Sequence, residues 1–255
     1  MITTLLAKNP YGAAVLSAGQ LQQAAVSVAV FTQWLTTELP LLADQYKLCW
    51  LTLNSDETAF IAPALQHSFI YHHVQGCEVT LVRRLQHDAY LPLAATHSIG
   101  VGAAVFNPLG QILLVQEIPL PGKKAGYFKL PGGMVEAKEH LVVALEREVL
   151  EETGVQATFQ GWFAMRHHHQ GQFGASNLYI VARLCSEQTD VAPDYQEIAA
   201  AAWFDPHQFL QDPLAHPYNK LLVRAALDSS LWSARELPEY QAGALGFELF
   251  QATQK

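Results

Sequence analysis

The chain has 255 residues, half of them apolar, with 15 basic against 23 acidic side chains and a formal net charge of −8. That length fits one large domain or two modest ones with ample material for a buried core, and the acidic balance argues against gripping nucleic acid by bulk attraction, so any nucleotide bound should be small. Cys49, Cys77 and Cys185 are odd in number and outside zinc-type spacing, which predicts buried or reduced thiols and a cytosolic location.

The opening residues MITTLLAKNPYG lack the basic start and apolar run of a secretory signal. Apolar runs such as Leu21 to Val30 are broken by Gln and Ser and fall short of the ~20 residues a bilayer requires, so no membrane span is expected. Ala13 to Leu16 reads as a short strand. From Ala24 to Leu39, Val28, Phe31, Leu35 and Leu39 recur at helical spacing until Pro40 ends the pattern. Leu48 to Leu53 is strand-like, Asn54 to Asp56 a turn, and Glu57 to His67 a helix. Strands at Phe69 to His73 and Glu78 to Arg83 flank a turn at Gln75-Gly76. This order predicts a small α/β layer over residues 1–92.

Gln86 to Ser98, with Pro92 and little periodicity, reads as a linker into a second domain over residues 93–255. There Ile99 to Phe106 and Ile112 to Val115 read as strands around the turn at Asn107 to Gly110, and the loop from Pro119 to Gly126 carries Lys123 and Lys124 in a surface position suited to recognition. Strands are expected near Gln156 to Arg166, Asn177 to Leu184 and Ala200 to Phe204, with helices near Pro206 to Leu210 and Tyr218 to Asp228.

Between these strands lies GMVEAKEHLVVALEREVLEETGV, Gly133 to Val155. Residues three and four apart on a helix are neighbours, so Glu148, Glu151 and Glu152 project from one face. Three carboxylates so close are tolerable only if water screens them, basic side chains neutralise them, or a hard divalent cation such as Mg²⁺ or Mn²⁺ binds them. Val142, Leu145 and Val149 form an apolar stripe beside that face, the Pro131-Gly132-Gly133 turn lets backbone approach a ligand, and Gly154 suits a helix C-terminus.

The stretch resembles the Nudix box: Gly, five residues, Glu, seven residues, Arg-Glu, an aliphatic residue, any residue, Glu-Glu, any residue, Gly and an aliphatic residue. Those places are filled by Gly133, Glu139, Arg147, Glu148, Val149, Glu151, Glu152, Gly154 and Val155. Outside the box, Phe60 to Ala64, His72-His73 and Leu91-Pro92 to His97 with Gly100 are similar to the two-domain Nudix subgroup of plants and animals. The resemblance implies a Nudix α/β/α sandwich preceded by a half-acetyltransferase-like α/β domain, a homodimer, and Mg²⁺- or Mn²⁺-dependent hydrolysis of a nucleoside diphosphate linked to another moiety, such as ADP-ribose or NADH. It implies Glu148 and Glu152 as main metal ligands, Glu151 as a further ligand or water-positioning group, and the Gly132 or Gly133 carbonyl as a completing ligand. Glu139 and Arg147 are expected to order the loop. The proton acceptor is read as Glu197 or Glu151.

The subgroup's recognition pattern is matched by Arg166, His169, Phe173-Gly174 and Ser176, with Asn177 where relatives have Asp. Arg166 suits a bidentate grip on phosphate. His167 to His169 are adjacent on a strand, so they alternate between faces and cannot all reach one ion. The N-terminal layer shows no glycine loop of the acyl-CoA-binding kind. A Nudix module that binds a nucleotide or protein partner without turnover is the competing reading.

Overall fold

The chain builds two sheets, one in each of the units Met1–Ala95 and Thr96–Lys255. The computed structural model describes residues 2–119, 121–122, 126–169, 171–240 and 243–252. Lys123 lies outside them. In the first unit the strands are β1 (Ala7–Lys8), β2 (Ala14–Leu16), β3 (Leu48–Leu53), β4 (Ile70–Gln75) and β5 (Glu78–Arg84), ordered β1-β2-β3-β5-β4. Only the β2 and β3 pairing is parallel. The short helices α1 (Gln20–Gln23), α2 (Val28–Thr37) and α3 (Ile61–Gln66) close over this sheet, and Phe31, Leu35, Leu51, Leu53 and Leu81 form a core from which water is excluded.

The α2 boundaries show which local rules won. Ser27 caps the helix by accepting from the Val30 N–H at 3.3 Å, and Ala25, with φ of 49°, prevents an earlier start. Val28, expected on the buried stripe, faces outward, and Trp34 takes its place inside. The helix expected from Glu57 begins as a 3₁₀ segment, Ser55–Phe60, because Asn54 and Glu57 form a capping box there. The Gln86 to Ser98 linker reading is too long. Gln86 Nε2 donates to the Ala43 carbonyl at 2.8 Å, Ala89 is buried, and its carbonyl accepts from Arg84 Nε at 3.1 Å. Those polar bonds and that burial make the segment part of the first unit.

In the second unit β6 (His97–Phe106), β7 (Ile112–Glu117), β8 (Thr158–His168), β9 (Ser176–Cys185), β10 (Ile198–Phe204), β11 (Trp232–Ala234) and β12 (Phe250–Ala252) form a mixed sheet ordered β10-β7-β6-β9-β8-β11-β12. The β6 and β9 pair is parallel and runs through ten residues of register. Because side chains alternate along a strand, Val101, Ala103, Val105 and Leu113 pack under α4 (Leu141–Thr153) with Ala144, Leu145 and Val149. Ala104, Ile112 and Leu114 point the other way, onto α5 (Pro206–Gln211) and α6 (Pro217–Asp228) through Phe209, Leu222 and Val223. The sheet is thus sandwiched between helices, an α/β/α arrangement. Among the described residues no helix is long and apolar enough to cross a membrane. Cys49 is buried, Cys185 half-buried and Cys77 exposed, all unbridged.

Candidate active site

The acidic helix is fixed at both ends by groups that are unequal in how visible they are. At its C-terminus Gly154 adopts φ of 69°, the left-handed conformation anticipated for that glycine, and Thr153 is fully buried. At its N-terminus His140 offers no side-chain cap. Instead the Glu248 carboxylate accepts from the Leu141 N–H at 2.6 Å and the Val142 N–H at 3.1 Å. A carboxylate there satisfies otherwise orphaned donors and complements the helix dipole. Nothing local could have disclosed it, since Glu248 lies 107 residues away.

The loop before α4 is stitched to the sheet. The Ala103 N–H donates to Pro131 O, Val101 N–H to Gly133 O and Val135 N–H to Ile99 O, at 2.9, 2.9 and 3.0 Å. At Gly133 a Cβ would stand 2.5 Å from the Glu148 carboxylate, so any side chain there would displace that carboxylate. Its carbonyl, expected as a metal ligand, already accepts one hydrogen bond and retains one lone pair.

Arg147 clamps loop to helix. Its Nε and Nη2 donate to the two Glu139 oxygens at 2.8 and 2.9 Å, and Nη2 also reaches Met134 O at 3.2 Å. Its Nη1 meets Glu148 Oε1 and Glu151 Oε2, both at 2.9 Å. Hydrogen bonding to Arg147 holds the Glu139 carboxyl below its ordinary range. Burial pushes Glu148 above it, with Arg147 pulling the other way. Glu151, by contrast, has 60% of its side chain in water.

Glu152 is the most enclosed of the acidic cluster, only 9% exposed. Its Oε2 accepts from the Gly132 N–H at 2.9 Å. Burial raises its pKa to about 7, the Gly132 bond and Lys129 oppose that rise, and the charges of Glu148 and Glu117 add to it. Gly132 itself has φ of 144°, and a Cβ on it would lie 2.1 Å from Val101 O. Backbone therefore crosses the carboxylate ledge where no side chain fits.

Beside Gly132 opens a cleft of about 380 Å³ bounded by Glu117, Lys129, Arg166, Tyr179 and Tyr218. Gly100 and Gly102 on β6 make room for the Tyr179 ring, since a Cβ at Gly102 would meet Tyr179 Oη at 2.3 Å. The Arg166 guanidinium lies between the Tyr179 and Tyr218 rings, 5.3 Å from each centroid, an arrangement that holds a cation without neutralising it. Asn177 Oδ1 accepts weakly from Arg166 Nη2 at 3.4 Å. This neighbour is an amide and brings no opposing charge to the guanidinium.

The residues expected to bind substrate do not form one group. Arg166 lines the cleft. His169 Nδ1 and Ser176 Oγ pair with each other at 3.1 Å at the hairpin end, and Phe173, with φ of 55°, is fully exposed in the turn between β8 and β9. None of these three borders the cleft. Glu197 is exposed just before β10, its backbone carbonyl accepting from the Ile118 N–H at 2.9 Å. His167 and His169 share a ring contact at 4.5 Å, and His97 Nε2 approaches His167 Nε2 at 3.0 Å. Among the described residues no three His, Cys, Asp or Glu side chains are already assembled to hold a metal ion. In the first unit His72 is tied to His73 and to Pro92 O, each at 2.7 Å. Sequence reading missed Glu117, Lys129, Tyr218 and Glu248, whose neighbours are distant in the chain.

The NUDIX domain profile matches residues 96–225, and a second profile, described as a Nudix hydrolase domain, matches residues 6–85. Nudix hydrolase 8 of Arabidopsis thaliana is 32% identical over 167 residues, covering 65% of this chain and 45% of that protein. Nucleoside diphosphate-linked moiety X motif 6 of Mus musculus is 32% identical over 205 residues, covering 76% of this chain and 64% of that protein. The chain thus spans less than two thirds of either relative's length. Among solved structures, the MutT protein from Methanosarcina mazei Go1 is similar at 25% identity and a TM-score of 0.44, covering 52% of this chain and 94% of that one.

Proposed function

Because this chain belongs to the NUDIX domain family, we propose that it hydrolyses the diphosphate bridge of a nucleoside diphosphate joined to a second moiety, of the ADP-ribose or NADH type, with Mg²⁺ or Mn²⁺. The observation that carries this reading is Glu152. A carboxylate 9% exposed with a single backbone donor, its pKa pushed up to about 7 even with Lys129 nearby, has less positive charge around it than its burial calls for. Hard carboxylate oxygens suit either cation, and Gly133 lets backbone lie directly against the Glu148 carboxylate.

Glu148 and Glu152 would hold the ion, with Glu151 joining when it leaves Arg147. The bound ion would neutralise phosphate charge and acidify a water. The chain's own groups supply the rest. Arg166, fixed between two tyrosines, grips a phosphate. Arg147 keeps the glycine loop and α4 in register through Glu139 and Met134 O. Of the two proton acceptors considered, Glu151 is the better supported, because its exposed carboxylate adjoins Glu148 through Arg147. A cytosolic homodimer completes the reading.

The alternative of binding without turnover draws on one observation: Arg147 engages both Glu148 and Glu151, and the carboxylates are not pre-assembled as a cage. Incubating the protein with a panel of nucleoside diphosphate derivatives and Mg²⁺ or Mn²⁺, with products resolved by chromatography, decides between them. Release of AMP from a member of the panel supports hydrolysis. Silence throughout, with nucleotide binding retained, leaves the binding module.

A further inference from the structure

Two charged residues outside the box occupy the wall of the cleft beside Gly132. Glu117 ends β7, and Lys129 lies on the segment entering the glycine turn. Reciprocal backbone bonds between Val115 and Lys129, both at 2.9 Å, hold these strands together, and the Lys129 ammonium forms an ion pair with the Glu117 carboxylate. Both side chains are open to water, at 33% and 61% exposure. An ion pair so exposed contributes about 0–1 kcal/mol to stability, so packing gives little reason for it. What its position does give is a place in a cleft that also holds Arg166.

The charges along this wall are one from Arg166, one from Lys129 and an opposing one from Glu117. A diphosphate esterified at both ends carries one negative charge on each phosphorus, whereas a terminal phosphate acquires most of a second charge at neutral pH, its second pKa being about 6. From this wall, and resting on the hydrolase reading above, we infer that Lys129 is a phosphate contact and Glu117 its positioning counterion. The pair acts as a charge filter favouring an internal diphosphate, with both ends esterified, over a chain ending in a free phosphate. Glu117 aims the Lys129 ammonium and repels the additional negative charge.

The test measures equilibrium binding of the α,β-methylene analogues of ADP-ribose and of ATP, each with Mg²⁺, to the full chain and its variants. Turnover of the two parent nucleotides is followed in parallel. Lys129→Gln should weaken both analogues about tenfold, the worth of one charge-assisted hydrogen bond, raising KM while kcat changes little. Glu117→Gln should tighten the ATP analogue about three- to fivefold relative to the ADP-ribose analogue, the scale of an exposed charge interaction, with melting temperature unchanged. In the double variant the selectivity change of Glu117→Gln should persist, because the repulsion acts on the phosphate directly, whereas any effect of Glu117→Gln on overall affinity, exerted through Lys129, should vanish. An unchanged ratio in Glu117→Gln, or unchanged affinities in Lys129→Gln, overturns the filter. Wild-type binding without turnover of either parent sinks hydrolysis instead, and the same affinity ratios still judge the filter. If neither analogue binds the wild type, both ideas fall.

Discussion

Among the described residues each unit buries one glutamate, and the two are treated in opposite ways. Glu57 in the first unit is fully buried and accepts from four backbone N–H groups, those of Gly19, Leu21, Gln22 and Asn54, at 2.7 to 3.3 Å. Glu152 in the second is nearly as enclosed, yet it has one backbone donor, from Gly132, and a neighbouring carboxylate in Glu148. A buried charge that is fully hydrogen-bonded has finished its work when the chain folds. One that is not satisfied marks where something else must bind. The contrast separates structural acid from candidate functional acid without appeal to motif.

Substituting the two residues is the most direct way to break that contrast. Glu152→Gln should lower kcat on the order of 10²- to 10³-fold, while metal-free stability stays level or rises because a desolvated charge is gone. A large loss of stability with unimpaired turnover would place Glu152 beside Glu57 as a structural group. Glu57→Ala should instead cost about 3 kcal/mol of stability in chemical denaturation, since several backbone donors lose their acceptor. Unchanged denaturation would mean those donors find water.

A pH series sharpens the difference further. The folded pKa of Glu152, about 7, lies above its ordinary 4.5, so the folded state binds the proton more tightly than the unfolded one. The stabilisation is complete below 4.5 and is lost as pH rises through about 7. Metal-free protein should therefore melt at lower temperature at pH 8 than at pH 5.5. Glu152→Gln should flatten that part of the profile, and a profile unaltered by it would assign the slope elsewhere. Smallest of all, Glu248→Ala should destabilise the second unit by about 1 kcal/mol through loss of the α4 cap. Equal melting curves would show that water replaces it.

The acidic helix was legible because its determinants are local: Glu148, Glu151 and Glu152 at helical spacing, Val149 on the packed side and Gly154 at the stop. Most strands were legible for the same reason, as period-two runs between turns. What was not legible depends on distant partners. β11 and β12, of three residues each, exist by pairing with one another and with Trp162 on β8. Arg166 could be singled out as a phosphate ligand, but its seat between Tyr179 and Tyr218, and the separation of His169, Ser176 and Phe173 from the cleft, follow from sheet register and α6 placement. No local pattern singles out Glu117 or Lys129, and the backbone bonds between Val115 and Lys129 bring them together as a pair.

The Glu248 bond bears on how the protein is made. Glu57 finds its most distant partner 38 residues back along the chain, whereas α4 waits for an acceptor 107 residues ahead of Leu141. At the ribosome, where synthesis proceeds at about 5–20 residues per second, Glu57's partners have all emerged before it does. The acidic helix must stay uncapped until Glu248 has followed it out of the exit tunnel, so the first unit can mature seconds before the helix on which the chemistry is proposed to depend.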